Sequence, residues 1–235
     1  MSFIYNLVDI LLMNNNEKDI FKIIKNEKNK IVFDVGSFEG KFTEKILKLE
    51  KKNSKSKYFL FDPNPNAYKY VQRLINRNKN IFFKCVGLNN KIGEKSFYLN
   101  SFFEASGSSF QTDSKNDKLW NLSRKIVVYF FNIFNFKLLK NYKTLKVKTD
   151  TIDNFCKSNK IKKIDLLKID SEGHEEFILK GSTKMFKKKR IKSIYLEVLS
   201  KKNNFHSKKN RIINFLKLHR FECVKEYPIR SVSVL

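Results

Sequence analysis

Lys30–Pro65 reads KIVFDVGSFEGKFTEKILKLEKKNSKSKYFLFDPNP, and this stretch decides the fold. Ile31, Val32 and Phe33 form an apolar run suited to a parallel strand covered on both faces. Asp34, Gly36, Ser37 and Gly40 follow in a glycine-bearing turn, after which Phe42, Ile46 and Leu49 recur at helical spacing. Tyr58–Phe61 is a second apolar run, ending at Asp62 and Pro63. Strand, turn, helix and strand in this order make a βαβ unit. Glycine lets the backbone bend sharply and approach a ligand with no Cβ in the way. Asp62 lies 22 residues beyond Gly40, about the distance at which nucleotide-binding βαβ units hold a ribose diol.

The spacing DxGxxxG is not the dinucleotide GxGxxG, and no phosphate-gripping Gly-Lys-Ser/Thr follows. That points to a nucleoside ligand without a pyrophosphate, for which S-adenosylmethionine is the obvious candidate.

The chain has 235 residues, enough for one domain over 1–235 with a substantial core. Its 41% hydrophobic and 14% aromatic content excludes a disordered chain. The net charge of +26 suggests an anionic partner: nucleic acid, a membrane surface or a phosphate-bearing substrate. The lysines, however, are spread along a chain also rich in Asn, Ile and Phe, so composition bias is the preferred reading. Cys85, Cys156 and Cys223 are scattered, with no disulfide framework or zinc spacing, which suits a reducing, cytoplasmic compartment. The N-terminal FIYNLVDILLM lacks a basic leader and a small-residue cleavage site. No window approaches the roughly 20 apolar residues of a membrane span.

Residues 1–29 read as a helical lead-in. Pro65–Arg77 reads as a helix with a stripe of Tyr68, Val71, Leu74 and Ile75, and Ile81–Leu88 as a third strand ending in Asn89-Asn90. Glu94–Leu99 is a further strand, expected to form a hairpin extension. An insert at about 101–144 breaks the alternation with a polar, glycine-bearing loop and an aromatic segment flanked by lysines. The preferred reading of Ile126–Phe136 is a core element covering the sheet. The alternative is a lid, or an interfacial element at 124–140 that gives peripheral membrane contact. From Leu145 the chain alternates again: a strand, a helix capped by Thr151 or Asp153, the strand Ile164–Ile169, a helix over Glu175–Phe186, and the strand Ile191–Leu196 ending in Glu197. A helix over Asn210–His219 and a closing hairpin follow. The expected architecture is α/β: a Rossmann-like class I methyltransferase fold, its mostly parallel seven-stranded sheet carrying helices on both faces and an antiparallel C-terminal strand. Ligands of such sheets bind outside the carboxyl ends of the strands. Asp34, Asp62, Asn89, Asp170 and Glu197 should therefore converge on one rim.

The second informative stretch is IDLLKIDSEGHEEFILKGS, Ile164–Ser182. It crowds Asp170, Glu172, His174 and Glu175 around a glycine turn where a strand becomes a helix, an arrangement that is expensive unless hydrogen bonds or function repay it. The helix dipole accounts for Glu175 but not for Asp170 or Glu197. Together with VFDVGSFEGKFT, FDPNPNAY, GLNNKIGEKSFY, VKTDTIDNF and IYLEV, in this order over about 30–200, the stretch resembles the FkbM-type S-adenosylmethionine-dependent methyltransferases. Two departures stand out. Ser37-Phe38 replaces the usual Ala-Asn, and Asp62 replaces the usual Glu, with a shorter reach to the ribose.

The resemblance implies methyl transfer to a hydroxyl, commonly on a sugar or glycoconjugate. Gly36 and Gly40, with Ser37 beside them, would close on the cofactor's amino-acid portion, while Asp34 fixes that turn or meets the ammonium. Asp62, next to Pro63, would hold the ribose, and Asn89 or Asn90 would meet the adenine edge. Asp170 or His174 would take the proton, and Glu172 and Glu197 would anchor the acceptor. Asp170, Glu172, His174 and Glu197 could alternatively hold Mg²⁺, a reading not favoured because sequence spacing decides nothing here. An RNA ribose methyltransferase is the alternative function. Enzymes of that sort generally add catalytic lysines, whereas Lys168 is expected to point into the sheet. A basic nucleic-acid-binding module without activity is the third reading.

Overall fold

The computed structural model describes Ile20, Phe21, Ile24 and residues 29–50, 54–100, 109–110, 142–198, 205–223, 225–227 and 232–234. In chain order these hold β1 (Ile31–Val35), α1 (Lys41–Lys48), β2 (Lys57–Phe61), α2 (Ala67–Arg77), β3 (Ile81–Lys84), β4 (Gly87–Leu88), β5 (Gly93–Asn100) and β6 (Ser109–Phe110). Then come β7 (Tyr142–Asp150), α3 (Ile152–Ser158), β8 (Ile164–Asp170), α4 (Glu175–Lys180), α5 (Thr183–Lys187), β9 (Ile191–Glu197), α6 (Phe205–Leu218), β10 (Lys225–Tyr227) and β11 (Val232–Val234).

Seven strands form the main sheet in the order β10-β11-β9-β8-β1-β2-β3. β3, β2, β1, β8 and β9 run parallel, and β11 enters antiparallel between β9 and β10. Successive residues of the central strands point to opposite faces, so both faces are apolar. Val32, Leu60 and Leu166 pack with Phe42, Ile46 and Val71, and with Ile20, Phe21 and Ile24. Phe33, Val35, Phe61, Leu167 and Ile169 pack on the other side with Phe155, Ile178, Phe186 and Ile212. Phe155 alone meets Phe33, Phe59 and Phe61 at ring distances of 5.7, 5.5 and 4.8 Å. From β1 the chain moves outward to β3 on one side, then returns to β8 and moves outward on the other. The reversal between β1 and β8 is the place where such sheets open a ligand crevice.

A second sheet, β4-β7-β5-β6, was not expected from the sequence. The third strand read over Ile81–Leu88 is cut short. Val86 donates back to the Lys84 carbonyl at 2.9 Å, a tight turn that sends Gly87–Leu88 out of the main sheet to pair with Thr149 and Asp150. β5 forms no hairpin with it. Instead β5 pairs antiparallel with β7, from Gly93↔Thr149 to Asn100↔Tyr142. The single helix expected over Glu175–Phe186 breaks at Gly181. A Cβ there would lie 2.0 Å from the Asn89 carbonyl oxygen, so the glycine is present for the loop that presses on it. Thr151 caps α3, accepting from Asn154 N–H at 3.0 Å, and Asp153 instead receives the N–H groups of Lys184 and Met185 at the start of α5. Of the α2 stripe, Val71 is buried with Leu74 and Ile75 packed beside it, whereas Tyr68 is 48% exposed and Ala67 is buried in its place.

The 124–140 segment lies outside the described residues. So does most of the 1–29 lead-in and of the 101–144 insert. Among the described residues, no helix is long and apolar enough to cross a membrane.

Candidate active site

A cleft of about 340 Å³ opens at the carboxyl ends of β1, β2 and β8. Two groups of residues meet in it. Gly36, Ser37, Phe38, Asp62, Pro63 and Asn64 from the turns after β1 and β2 line it together with Lys168, Asp170, Ser171, Glu172 and Glu197 from β8, β9 and the turn after β8. Asp170 and Glu197 are directly opposed in the β8–β9 register, so two neighbouring strands end in carboxylates side by side.

The glycine turn is shaped by the protein's own packing. Gly36 has φ +71°, and a Cβ on it would lie 1.7 Å from the Asp170 carbonyl oxygen. This corrects the expectation that its bareness serves the ligand: the end of β8 occupies that space. Gly40, at φ +72°, caps α1 outside the cleft, where a Cβ would meet Leu74 and Val71 of α2. Asp34 is also withdrawn. It is fully buried, accepts from Thr43 Oγ1 at 2.8 Å, and lies 3.1 Å from Lys168 Nζ. Of the two roles read for it, the geometry matches fixing the turn.

Asp62 joins that turn to the next loop. Its Oδ2 accepts from Phe38 N–H at 2.9 Å and its Oδ1 from Asn64 N–H at 2.8 Å. Burial pushes its pKa up to about 6, although those two N–H groups and Lys168 pull against the rise. Phe38 adopts φ +35° and packs on Tyr70 at 5.0 Å, beside the cleft. The Ser37 hydroxyl and the Asn64 amide nitrogen are buried without any hydrogen-bond partner. Groups left in this way are costly unless something completes them. Asn64 escaped the sequence reading, although it stands inside the quoted FDPNP.

Asn89, Asn90 and His174 do not line the cleft. Residues Val86, Gly87 and Leu88, just before the asparagines, do so, with Phe97 of β5 and Tyr195 of β9. Val86, Gly87, Leu88 and Phe97 reach the cleft through a strand break and a second sheet, which the periodicity did not mark, whereas Tyr195 lies on a strand that was read. His174 is buried, its Nε2 3.1 Å from Asn89 Oδ1 and its ring stacked on Phe177 at 4.7 Å. Burial, then the cations Lys95 and Lys208, push its pKa down to about 3. Its place outside the cleft keeps it from the acceptor's hydroxyl, and a lowered pKa makes it a weak proton acceptor, which corrects its candidacy as the base. It braces the Asn89 loop instead. Among the described residues no cluster of His, Cys, Asp and Glu has a metal-holding arrangement.

His174 gives a pH signature. Its ordinary pKa of 6.5 is lowered on folding, so the unfolded chain binds the proton first and stability drains away as pH falls below 6.5. The slope approaches about 1.4 kcal/mol per pH unit. Asp62 acts in the opposite sense between about 6 and 3.8, because its folded pKa is raised. Urea unfolding of His174→Gln and wild type between pH 8 and 5 separates the two: the wild type should lose stability faster than the variant. Parallel curves would show that His174 titrates freely in the folded protein.

Lys168, read as pointing into the sheet, instead brings its ammonium to the cleft floor. It donates to the Gly36 carbonyl at 2.9 Å and lies 3.6 Å from Asp170 Oδ2. Burial opposes its charge, yet Asp34 and Asp170 outweigh burial and hold its pKa above the ordinary lysine value. Glu175, assigned above to a helix dipole, is fully buried against Lys208 of α6.

A doubly wound sheet with this crevice at its switch point, a buried acid after β2 and paired acids after β8 and β9 has the Rossmann-like α/β architecture. The sequence signature of the methyltransferase FkbM domain matches residues 34–223, and the chain belongs to that family. No curated protein matches the sequence. The crystal structure of the methyltransferase FkbM from Methylobacillus flagellatus is similar in fold, with a TM-score of 0.51 and 12% identity over 88% of this chain. This chain spans 42% of that protein's length. A putative rRNA-methylase from Clostridium thermocellum (TM-score 0.47, 10% identity, 94% of each chain) is a more distant likeness. So is a precorrin-6y C5,15-methyltransferase from Geobacter metallireducens (TM-score 0.42, 10% identity, 93% of this chain and 82% of that one).

Proposed function

We propose that this protein transfers a methyl group from S-adenosylmethionine to a hydroxyl of a saccharide or glycoconjugate. One observation carries the reading: a nucleoside-sized cradle with unsatisfied polar groups and an acid-rich corner share a single cleft. The cradle residues fit the cofactor. Asp62 keeps lone pairs beyond those taken by Phe38 and Asn64, and would accept the ribose hydroxyls. The buried Ser37 hydroxyl and Asn64 amide await partners that a polar ligand supplies, and Val86–Leu88 offers an apolar wall for a base. When bound, the cofactor supplies a methyl on a sulfonium, already activated for in-line displacement.

The chain's own task is then to orient the acceptor and manage its proton. Asp170 and Glu197 hold the hydroxyl between adjacent strand ends, and one of them receives its proton. Glu172, at φ +49° in the Ser171–Gly173 turn, anchors a neighbouring hydroxyl. Five acids line the cleft (Glu39, Asp62, Asp170, Glu172 and Glu197), against Lys41, Lys45 and Lys168. In a chain of net charge +26, an acid-rich cleft favours a neutral polyol over a phosphate-bearing acceptor.

Titration calorimetry with S-adenosylmethionine tests the cradle. Asp62→Ala should weaken binding by about ten-fold or more, the loss of a charge-assisted pair of hydrogen bonds. The wild type should also bind less well as pH falls through about 6, where Asp62 takes up its proton, and Asp62→Asn should flatten that dependence. Unchanged affinity in Asp62→Ala would remove the ribose site.

A further inference from the structure

Lys168 is the unexpected feature of the floor. A lysine in a central strand, 6% exposed, is among the most expensive residues to bury, and it persists only where charges compensate it. Here the compensation is Asp34 at 3.1 Å and Asp170 at 3.6 Å, with the Gly36 and Val35 carbonyls at 2.9 and 3.4 Å. Asp62 lies on the same floor and feels the same ammonium. At pH 8 the set Asp34, Asp62, Lys168 and Asp170 carries a formal charge of −2. Thr43 and the sheet fix Asp34 and Lys168 from below, so this charge is preorganised.

We propose that Lys168 and Asp34 set how far the cleft prefers a cationic sulfonium over the neutral thioether left after methyl transfer. The proposal rests on the cofactor reading above. S-adenosylmethionine and S-adenosylhomocysteine share the ribose, the base, the ammonium and the carboxylate, and differ by the methyl and one positive charge. Contacts to the shared parts cancel in the ratio of their affinities, and the floor's charge does not. In a poorly hydrated site, one unit of charge at close range changes such a ratio roughly ten-fold. Lys168 lowers the negative potential and so limits the preference for the sulfonium. Asp34, sealed from the cleft by burial, works on it through space alone.

The test is calorimetric titration of the full chain at pH 8 and low salt with each of the two compounds. The quantity read is the ratio of the thioether's Kd to the sulfonium's. Lys168→Met takes the floor to −3 and should raise the ratio roughly ten-fold, while Asp34→Asn takes it to −1 and should lower it by a similar factor. The double variant returns the floor to −2 and should restore the wild-type ratio within about three-fold, even though both side chains are changed. If Lys168→Met fails to fold, Asp34→Asn and the double variant still decide, since the first leaves Lys168 paired with Asp170 and the second removes both members of the Lys168–Asp34 pair together. Both ligands weakened equally, with the ratio constant across the folded variants, would mean that the cluster is only scaffolding, and the proposal would fall alone. A wild type that binds neither compound would overturn the cofactor reading and the proposal with it.

Discussion

Gly36→Ala should destabilise the protein by about 4 kcal/mol and abolish binding in the cleft. Two independent terms add. The positive φ of +71° costs an L-residue about 1–2 kcal/mol. The new methyl must also displace the Asp170 carbonyl, 1.7 Å away, and overpacking of this kind costs about 1–3 kcal/mol. That neighbour is backbone at the end of a central strand, so it cannot swing aside. Gly40→Ala is the control. Its φ is nearly the same at +72°, but the atoms met are side-chain methyls, Leu74 Cδ1 at 2.9 Å and Val71 Cγ1 at 3.1 Å. These can yield, and the loss should stay near the conformational term of about 1–2 kcal/mol. Chemical denaturation of both variants measures the difference. Equal losses would mean that β1 and β8 are not in the close contact described, and the rim that joins the turn to Asp170 would lose its basis.

Lys208→Met should cost about 3–5 kcal/mol, as removal of one partner of a buried ion pair does. Lys208 Nζ pairs with Glu175 Oε2 and donates to the Gly173 carbonyl at 2.8 Å, while Glu175 Oε1 accepts from Gly173 N–H at 2.7 Å. Glu175 has no exposure. Without the lysine its charge stays in the interior beneath the turn that presents Glu172. Adding Glu175→Gln should recover most of the loss, because a neutral amide can keep the Gly173 bond without a counter-ion. A single-variant loss below about 1 kcal/mol would show that water reaches the carboxylate.

The reading of Lys30–Pro65 carried over to three dimensions because each of its signals is local. Apolar runs of strand length, a glycine bend and a helical stripe are set within a few residues, and β1, α1 and β2 lie where they were read. The acids closing β2, β8 and β9 were likewise legible, since a strand of fixed direction delivers its last side chain to a known edge of the sheet. Other readings did not carry over. His174 and Asn89 are separated by 85 residues, and Gly181, which was read as lying inside one continuous helix, is the bare position against which the Asn89 loop packs. Lys208 and Glu175 are 33 residues apart, and no charge pattern along the chain links them. β5 pairs with β6 within the insert and with β7 beyond it.

By itself, then, the chain determined its periodicities, its turns and the order of strands whose tips carry carboxylates, because those properties depend on neighbours in sequence. The tertiary structure alone decided which acids face the cleft and which are sealed under it, why Gly36 is bare, and where Lys168 directs its charge. The physical reason is that burial, close approach and counter-ion pairing are relations between segments remote in sequence, which exist only once the sheet has brought those segments together.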